Sequence, residues 1–548
     1  MKTNLKEPRL TKNGAGFGIP AVFFSLLIMI LASCGGKKPA DAPSAASVLR
    51  YAVWSSPSGL FHPLLYFTDY DRNVIFVVYD RLVVVDQEQN FKPKLASSYE
   101  FSADERTITF HLKPGVKWHD GKPFSAGDVA FTYQAAASGD YPNDTPDFAT
   151  HLEGYEEYHN GSADSVRGIK VIDDSTVSFT FSSVYAGALA YFADRPVLAK
   201  HIWENTPISA WNEATSLLQN PVGTGPFKFS EYVPDQYVSL LRNPDYYDGP
   251  PKIDQFIYKV SNRDTAQAEL ISGELDIAEL SSFNPSDLKL YEDNKIAIVE
   301  HVGSGAQYVT LDYNDPRLAD VRVRQALLYA VDRQAIIDRL LYGHGIILNT
   351  LLHPESYVYP GDLEPYAYNP EKAKSLLAEA GWKDLDGDGI VEKDGRKFIL
   401  ALNYPTGNRT RELSAPVLQQ YWRDIGIETE LILADFNSTL AILQNASTEY
   451  DAMLMGATFR VDSYDTNHWW ERFEDPYEED LIARVNGTLE PTARDPLIRE
   501  WAKFHNDKVI RLWLYIPNIG YAVSPSVLNY GAYPYEPFNN IQNWEVRR

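Results

Sequence analysis

The sequence predicts an α/β protein built from two to four domains or lobes. Three observations carry this. The chain has 548 residues, and domains run to about 100–200 residues each. The first 200 folded residues read as strands with scattered helices, whereas beyond residue 320 helices and strands alternate, the pattern of parallel α/β units. Apolar residues make up 44% and charged residues 23%. Both are close to globular averages, which excludes disorder throughout.

The elements follow in order. Folding is expected to begin near Val48, with LRYAVW at 49–54 as a strand and Ser-Ser-Pro-Ser-Gly at 55–59 as the loop after it. A second strand is expected at 79–85. TITFHL at 107–112 alternates well, and Lys113-Pro114-Gly115 turns the chain. Ser125 with Asp128 resembles a capping box that opens a helix through Phe131 and Tyr133. Alternation returns at 175–181. Over 320–341, Val321, Ala326, Leu327, Ala330, Val331, Ile336, Ile337, Leu340 and Leu341 follow helical spacing, and Gly343 suits a C-cap. Asn369-Pro370 makes an N-cap and N1 pair for a helix over 371–380, ended by Gly381. A strand at 398–402, a helix at 410–425 and a strand at 428–433 complete the alternation. The sequence has no internal repeat.

The N-terminus carries its own signal. Lys2, Lys6, Arg9 and Lys12 precede the apolar run 21–32, then Leu31-Ala32-Ser33-Cys34. A basic segment, about a dozen apolar residues and small residues before a cut site make a secretory signal. The run is shorter than the about 20 residues of a membrane span. Leu-Ala-Ser-Cys resembles a bacterial lipobox, which implies cleavage before Cys34 and lipid attachment there. Cys34 is the sole cysteine, so a mature chain has no disulfide. GGKKPADAPSAAS at 35–47 reads as a flexible tether. Net charge is -24, and loss of a +3 leader (four basic residues, one acidic) leaves -27. Such acidity repels a phosphate backbone and argues against nucleic acid as a partner. Mean hydropathy of -0.31 excludes a fully integral membrane protein.

Catalytic signatures fail. GxSxG, HExxH and CxxC do not occur, and Gly223-Thr224-Gly225-Pro226 lacks the third glycine and lysine of a phosphate loop. Asp384, Asp386 and Asp388 match positions 1, 3 and 5 of a calcium loop, with Gly389 at 6. Position 12 is Gly395, not the bidentate glutamate, so that cage is incomplete and a solvated Asp/Gly turn is the preferred reading. No metal ligand set and no cofactor are assigned.

Several segments resemble bacterial extracellular solute-binding proteins of family 5, the oligopeptide and dipeptide receptors of ABC importers. They are Tyr79-Asp80-Arg81-Leu82, Lys94-Leu95-Ala96, KPGVKWHDGKPFSAGDV at 113–129, NPVGTGPF at 220–227, Val321-Arg322-Val323-Arg324-Gln325-Ala326-Leu327, Ala330-Val331-Asp332-Arg333, Asn369-Pro370-Glu371-Lys372-Ala373 and Ala380-Gly381-Trp382. The resemblance spans roughly 49–545. It implies the bilobal periplasmic-binding-protein fold, type II, in its large three-subdomain form. The implied division is signal 1–33, tether 34–48, lobe I 49–262 with an inserted subdomain about 71–216, lobe II 263–511, and a return to lobe I at 512–548. The hinge is expected near 258–262 and 512–518, with the ligand between the lobes.

The resemblance also implies site residues. In peptide-binding members a Trp, followed three residues later by Asp, comes after a lobe II strand, and the Asp holds the peptide α-ammonium. Here Tyr450-Asp451-Ala452-Met453-Leu454-Met455-Gly456 matches the strand. Phe459 takes the Trp place and Asp462 keeps the spacing, with two extra residues after Gly456. The alternative reading of Asp462 is a loop carboxylate paired with neighbouring Arg460, and Arg460 beside the site points instead to an anionic ligand group. Ser56, Pro57 and Ser58 are expected to pair through their backbone with an extended ligand. Thr224 is expected to line the pocket, and Tyr515 to be a cleft tyrosine.

The function implied is a lipid-anchored receptor in the cell envelope. It captures peptides, hands them to ABC permease subunits and acts as a monomer without catalysis. An oligosaccharide or other small solute in the same fold is the alternative; a nickel receptor lacks a compact His cluster. A secreted glycoside hydrolase, the reading from another class, needs two carboxylates about 5–10 Å apart across a cleft.

Overall fold

One sheet of twelve strands runs through the molecule and changes partners along its longest strand. The computed structural model describes residues 46–66, 68–143, 146–444, 450–459 and 473–547. The strands are β1 (Val48–Val53), β2 (Phe227–Val233), β3 (Tyr237–Arg242), β4 (Gln255–Val260), β5 (Ile277–Glu279), β6 (Ala297–Val302), β7 (Gly305–Leu311), β8 (Gly345–Ile347), β9 (Ile399–Pro405), β10 (Glu428–Ala434), β11 (Ala452–Thr458) and β12 (Leu512–Val523). Their order is β10-β9-β11-β7-β12-β5-β1-β4-β3-β2, with β6 and β8 also paired to β12.

The run Leu512-Trp513-Leu514-Tyr515-Ile516 is buried throughout, as a central strand covered on both faces must be. Up to Pro517, β12 pairs with β7 and β8; from Asn518 it pairs with β5 and β6. Pro517 has no N–H to give, but its carbonyl accepts the Gly303 amide at 3.1 Å. A Cβ on Gly303 would lie 2.5 Å from that oxygen, so the close crossing requires glycine.

Each half of the sheet has its own core. Leu49, Tyr51, Phe256, Tyr258 and Trp544 belong to the first. Val309, Leu327, Leu402, Trp422, Leu454 and Leu514 belong to the second. The C-terminal residues return to the first core, where both Arg81 guanidinium nitrogens donate to Glu536 at 2.8 and 2.7 Å. A separate four-stranded sheet of Ala96–Phe101, Thr107–Leu112, Thr176–Thr180 and Ile169–Asp173 lies beside that core. The two halves touch where the Ala186 amide donates to the Asn486 carbonyl at 2.9 Å.

Most expected elements are present within a residue or two. Helix α1 (Asp69–Val78), absent from the elements expected above, buries Val74-Ile75-Phe76-Val77-Val78. This β-branched run is made helical by packing against intrinsic preference. Of the strand expected at 79–85, only Val83–Val85 pairs. Helix α2 (Ala126–Ala136) has the expected capping box from Ser125 and Asp128. The single helix expected over 320–341 is two, α3 (Val321–Tyr329) and α4 (Arg333–Leu340). Asp332 breaks the run by accepting the Ala335 amide at 2.8 Å, an N-cap inside an apolar pattern. Helices α5 (Pro370–Glu379) and α6 (Arg409–Arg423) follow as expected, and β9 pairs in parallel with β10 and β11.

The expected boundary at 262 does not coincide with the change of partners. Ala266, Leu270, Ala278 and Ile296 form one cluster with Ala52 of β1 and Ala522 of β12. Residues 263–302 therefore pack with the first half, and the chain crosses to the second at Gly303-Ser304. The second expected hinge segment, 512–518, contains the point where β12 switches partners.

Candidate functional site

Parallel strands of both halves end at the same place. β1, β4 and β5 run parallel and finish at Val53, Val260 and Glu279. β9, β10 and β11 finish at Pro405, Ala434 and Thr458. Both sets point toward the switch in β12, since Glu279 lies opposite Tyr521 and Thr458 opposite Gly305. Ligands of open α/β sheets bind outside the carboxyl ends of strands, where the order reverses.

On the first side the loop after β1 is held by its own polar groups. The Tyr232 hydroxyl donates to the Pro57 carbonyl at 2.5 Å, Ser56 Oγ accepts the Asp235 amide at 3.0 Å, and Ser58 Oγ donates to Asp71 at 2.8 Å. These hydroxyls fix the loop, and Pro57 is buried within it. Beyond it the Arg263 guanidinium lies 5.0 Å from the Trp54 ring centre and 4.0 Å from Glu279. Burial raises the Glu279 carboxyl above the usual value, against the pull of Arg263 and a hydrogen bond from Trp54.

On the second side Arg411 stands in the first turn of α6, with its amide capped by Asn408 at 3.0 Å. Its Nε donates to Gln307 Oε1 at 3.0 Å. A Cβ on Gly456 would lie 2.6 Å from Arg411 Nη2, so a glycine at the end of β11 makes room for the guanidinium. Arg411 is 8% exposed and forms no ion pair among the described residues. Burial pulls its pKa below the usual arginine value. Phe459 donates its amide to Ser304 at 2.8 Å, and its ring packs near Trp513 and His353, centroids 6.0 and 5.9 Å away.

The sequence-derived residues divide unevenly over this geometry. Ser56, Pro57, Ser58 and Phe459 flank the crossing. Thr224 does not present an accessible atom: it is 1% exposed, and the glycines beside it press on the backbone of Val77, Val78 and Tyr79. That turn is a packing joint. Tyr515 is likewise 0% exposed, with its hydroxyl 3.1 Å from Ser414 Oγ beneath α6. Arg460, Asp462 and Cys34 lie outside the described residues. Arg411 escaped sequence reading because no motif marks it; the Asn408 cap and Gly456 are its only sequence signals.

A two-core α/β molecule with strand ends converging on a crossing defines a ligand-binding protein of the bilobal periplasmic type. The profile of bacterial extracellular solute-binding proteins, family 5 Middle, matches residues 90–475, and the chain belongs to that family. It is 30% identical over 548 residues to the oligopeptide-binding protein AppA of Bacillus subtilis (strain 168), covering 95% of this chain and 96% of the relative. It is also 30% identical over 434 residues to the dipeptide-binding protein of Escherichia coli (strain K12), covering 75% and 76%. The solved structure of Bacillus subtilis AppA in complex with a nonapeptide matches with a TM-score of 0.75 at 27% identity, over 92% of this chain and 100% of that one.

Proposed function

We propose that the protein captures peptides between its two lobes and delivers them to the permease of an ABC transporter, acting by binding and not by catalysis. The observation that carries this is the full-length kinship with an oligopeptide-binding protein. The converging strand ends supply a site of the right kind, with a recessed cation at Arg411. The lobes meet at Gly303-Ser304 and Pro517-Asn518. Asp462 holds the peptide ammonium and Arg411 takes an anionic group of the same ligand. Cys34 anchors the mature, monomeric protein to the membrane through lipid; no helix of the described residues is long and apolar enough to cross one. A Cys34→Ser variant should lose labelled fatty acid, and retention of label would remove the anchor from the proposal.

Calorimetry against matched free and N-acetylated peptides tests the site. Truncating one partner of a buried charge pair costs roughly 2–5 kcal/mol, about thirty- to several-thousand-fold in affinity. Asp462→Asn should impose that loss on free peptides and little on acetylated ones. Equal losses for both would take Asp462 out of amine capture, and no peptide binding by the wild type would refute the function.

A further inference from the structure

A second junction between the halves lies away from the crossing. The Ala186 amide donates to the carbonyl of Asn486, the last residue of the helix Pro476–Asn486, at 2.9 Å. A helix leaves its last four carbonyls without partners inside the helix. Here three of them are filled from their own half. The Ala483 carbonyl accepts the Gly487 amide at 2.9 Å, the Arg484 carbonyl accepts Thr488 Oγ1 at 2.8 Å, and the Val485 carbonyl accepts Arg494 Nε at 3.2 Å. The fourth, that of Asn486, takes its donor from the other half. Both partners are fixed in place. Tyr185 and Ala186 are buried, and the Tyr185 ring stacks on His151 with centroids 4.2 Å apart. Ser182 donates its amide and its hydroxyl to the His151 carbonyl at 2.8 and 3.1 Å. On the other side Val485 is buried in one cluster with Ile498 and Ala502. Neither segment belongs to the twelve-stranded sheet that carries the crossing. Rotation of two rigid halves about Gly303 and Pro517 therefore parts Ala186 from Asn486.

We propose that this bond is a latch on the closed form: it is made when the lobes close over a solute, and it must break before the solute leaves. The latch rests on the capture proposed above, but not on the identity of the solute. Opening returns the Ala186 amide and the Asn486 carbonyl to water, so the latch is worth the net value of one hydrogen bond. That is too little to hold an empty cleft shut, and enough to slow release. The bond forms after the ligand has entered, so it acts on dissociation and leaves association unchanged. It joins backbone to backbone and reads nothing of the ligand, so it lengthens retention alike for every solute that permits closure.

Ala186→Pro removes the donor, and Ala186→Gly keeps it as a control. The probe is the set of peptides that the mature protein retains from a tryptic digest of casein, followed by mass spectrometry after dilution. Release from Ala186→Pro should be about two- to tenfold faster than from the wild type, with association unchanged, and Ala186→Gly should stay close to the wild type. Equal release from Ala186→Pro and the wild type would overturn the latch. A second arm needs no solute. In the Cys34→Ser chain, which has no other cysteine, Ala186→Cys and Asn486→Cys are joined by a short bismaleimide. The crosslinked, ligand-free chain should have a smaller radius of gyration than the unlinked one. Failure to crosslink, or one radius for both, would also overturn the latch, since the two residues would then never meet or never part. Retention of no casein peptide would refute peptide capture itself and leave the crosslinked chain to decide the latch.

Discussion

Arg411 is held by one side-chain hydrogen bond, to Gln307, in surroundings that disfavour its charge. A recessed guanidinium of this kind gains most from a bound anion, in a charge-assisted and often bidentate contact. Arg411→Met should weaken a peptide bearing an anionic group by tenfold or more, about 1.4 kcal/mol, and leave its neutral amide analogue little changed. Titration of both peptides against both proteins measures it; equal affinities in the variant and the wild type would return Arg411 to a structural role. Single residues were the least legible scale. The family pattern places Thr224 and Tyr515 in a cleft, yet both lie in packed interior. Burial is a property of the assembled fold and leaves no mark on a lone Thr or Tyr. Arg411 is one of 50 Lys and Arg residues, and only the approach of Gly456 and Gln307 distinguishes it.

Elements were far more legible where capping chemistry and periodicity agreed. Asn369-Pro370 opens α5 by accepting the Lys372 amide at 3.0 Å, and Gly381 leaves that helix at φ +95. Both were readable because each residue type fills a conformation few others tolerate. The failures have physical causes. In α1 tertiary burial overrode a β-like run, and between α3 and α4 the apolar spacing continued across a real break. Asp332 is what enforces that break. Asp332→Ala should destabilise the protein by about 1 kcal/mol, the usual worth of an N-cap. Urea unfolding followed by circular dichroism reads the shift; an unchanged midpoint would mean that packing alone sets the junction.

At the scale of the molecule, the fold class and the convergence of strand ends follow from the alternation of helices and strands in the second half and the parallel pairing it implied. The lobe boundary was less legible. Tyr258 to Asn262 looks like the exit from a strand, and it is one, but the next 40 residues add β5 and β6 to the same half before the chain crosses. The hydrogen bonds at the crossing include the Gly303 amide to the Pro517 carbonyl, the Asn518 amide to the His344 carbonyl and the His344 ring to Glu300 at 2.9 Å. Hinge closure over a ligand is the motion such a joint permits. A bound ligand should also stabilise the folded protein against unfolding, by about 2.7 kcal/mol at one hundred times its dissociation constant. Small-angle scattering of the mature protein, with and without a peptide at saturation, tests capture by closure most directly. The radius of gyration should fall on peptide addition; an unchanged radius with peptide demonstrably bound would contradict it.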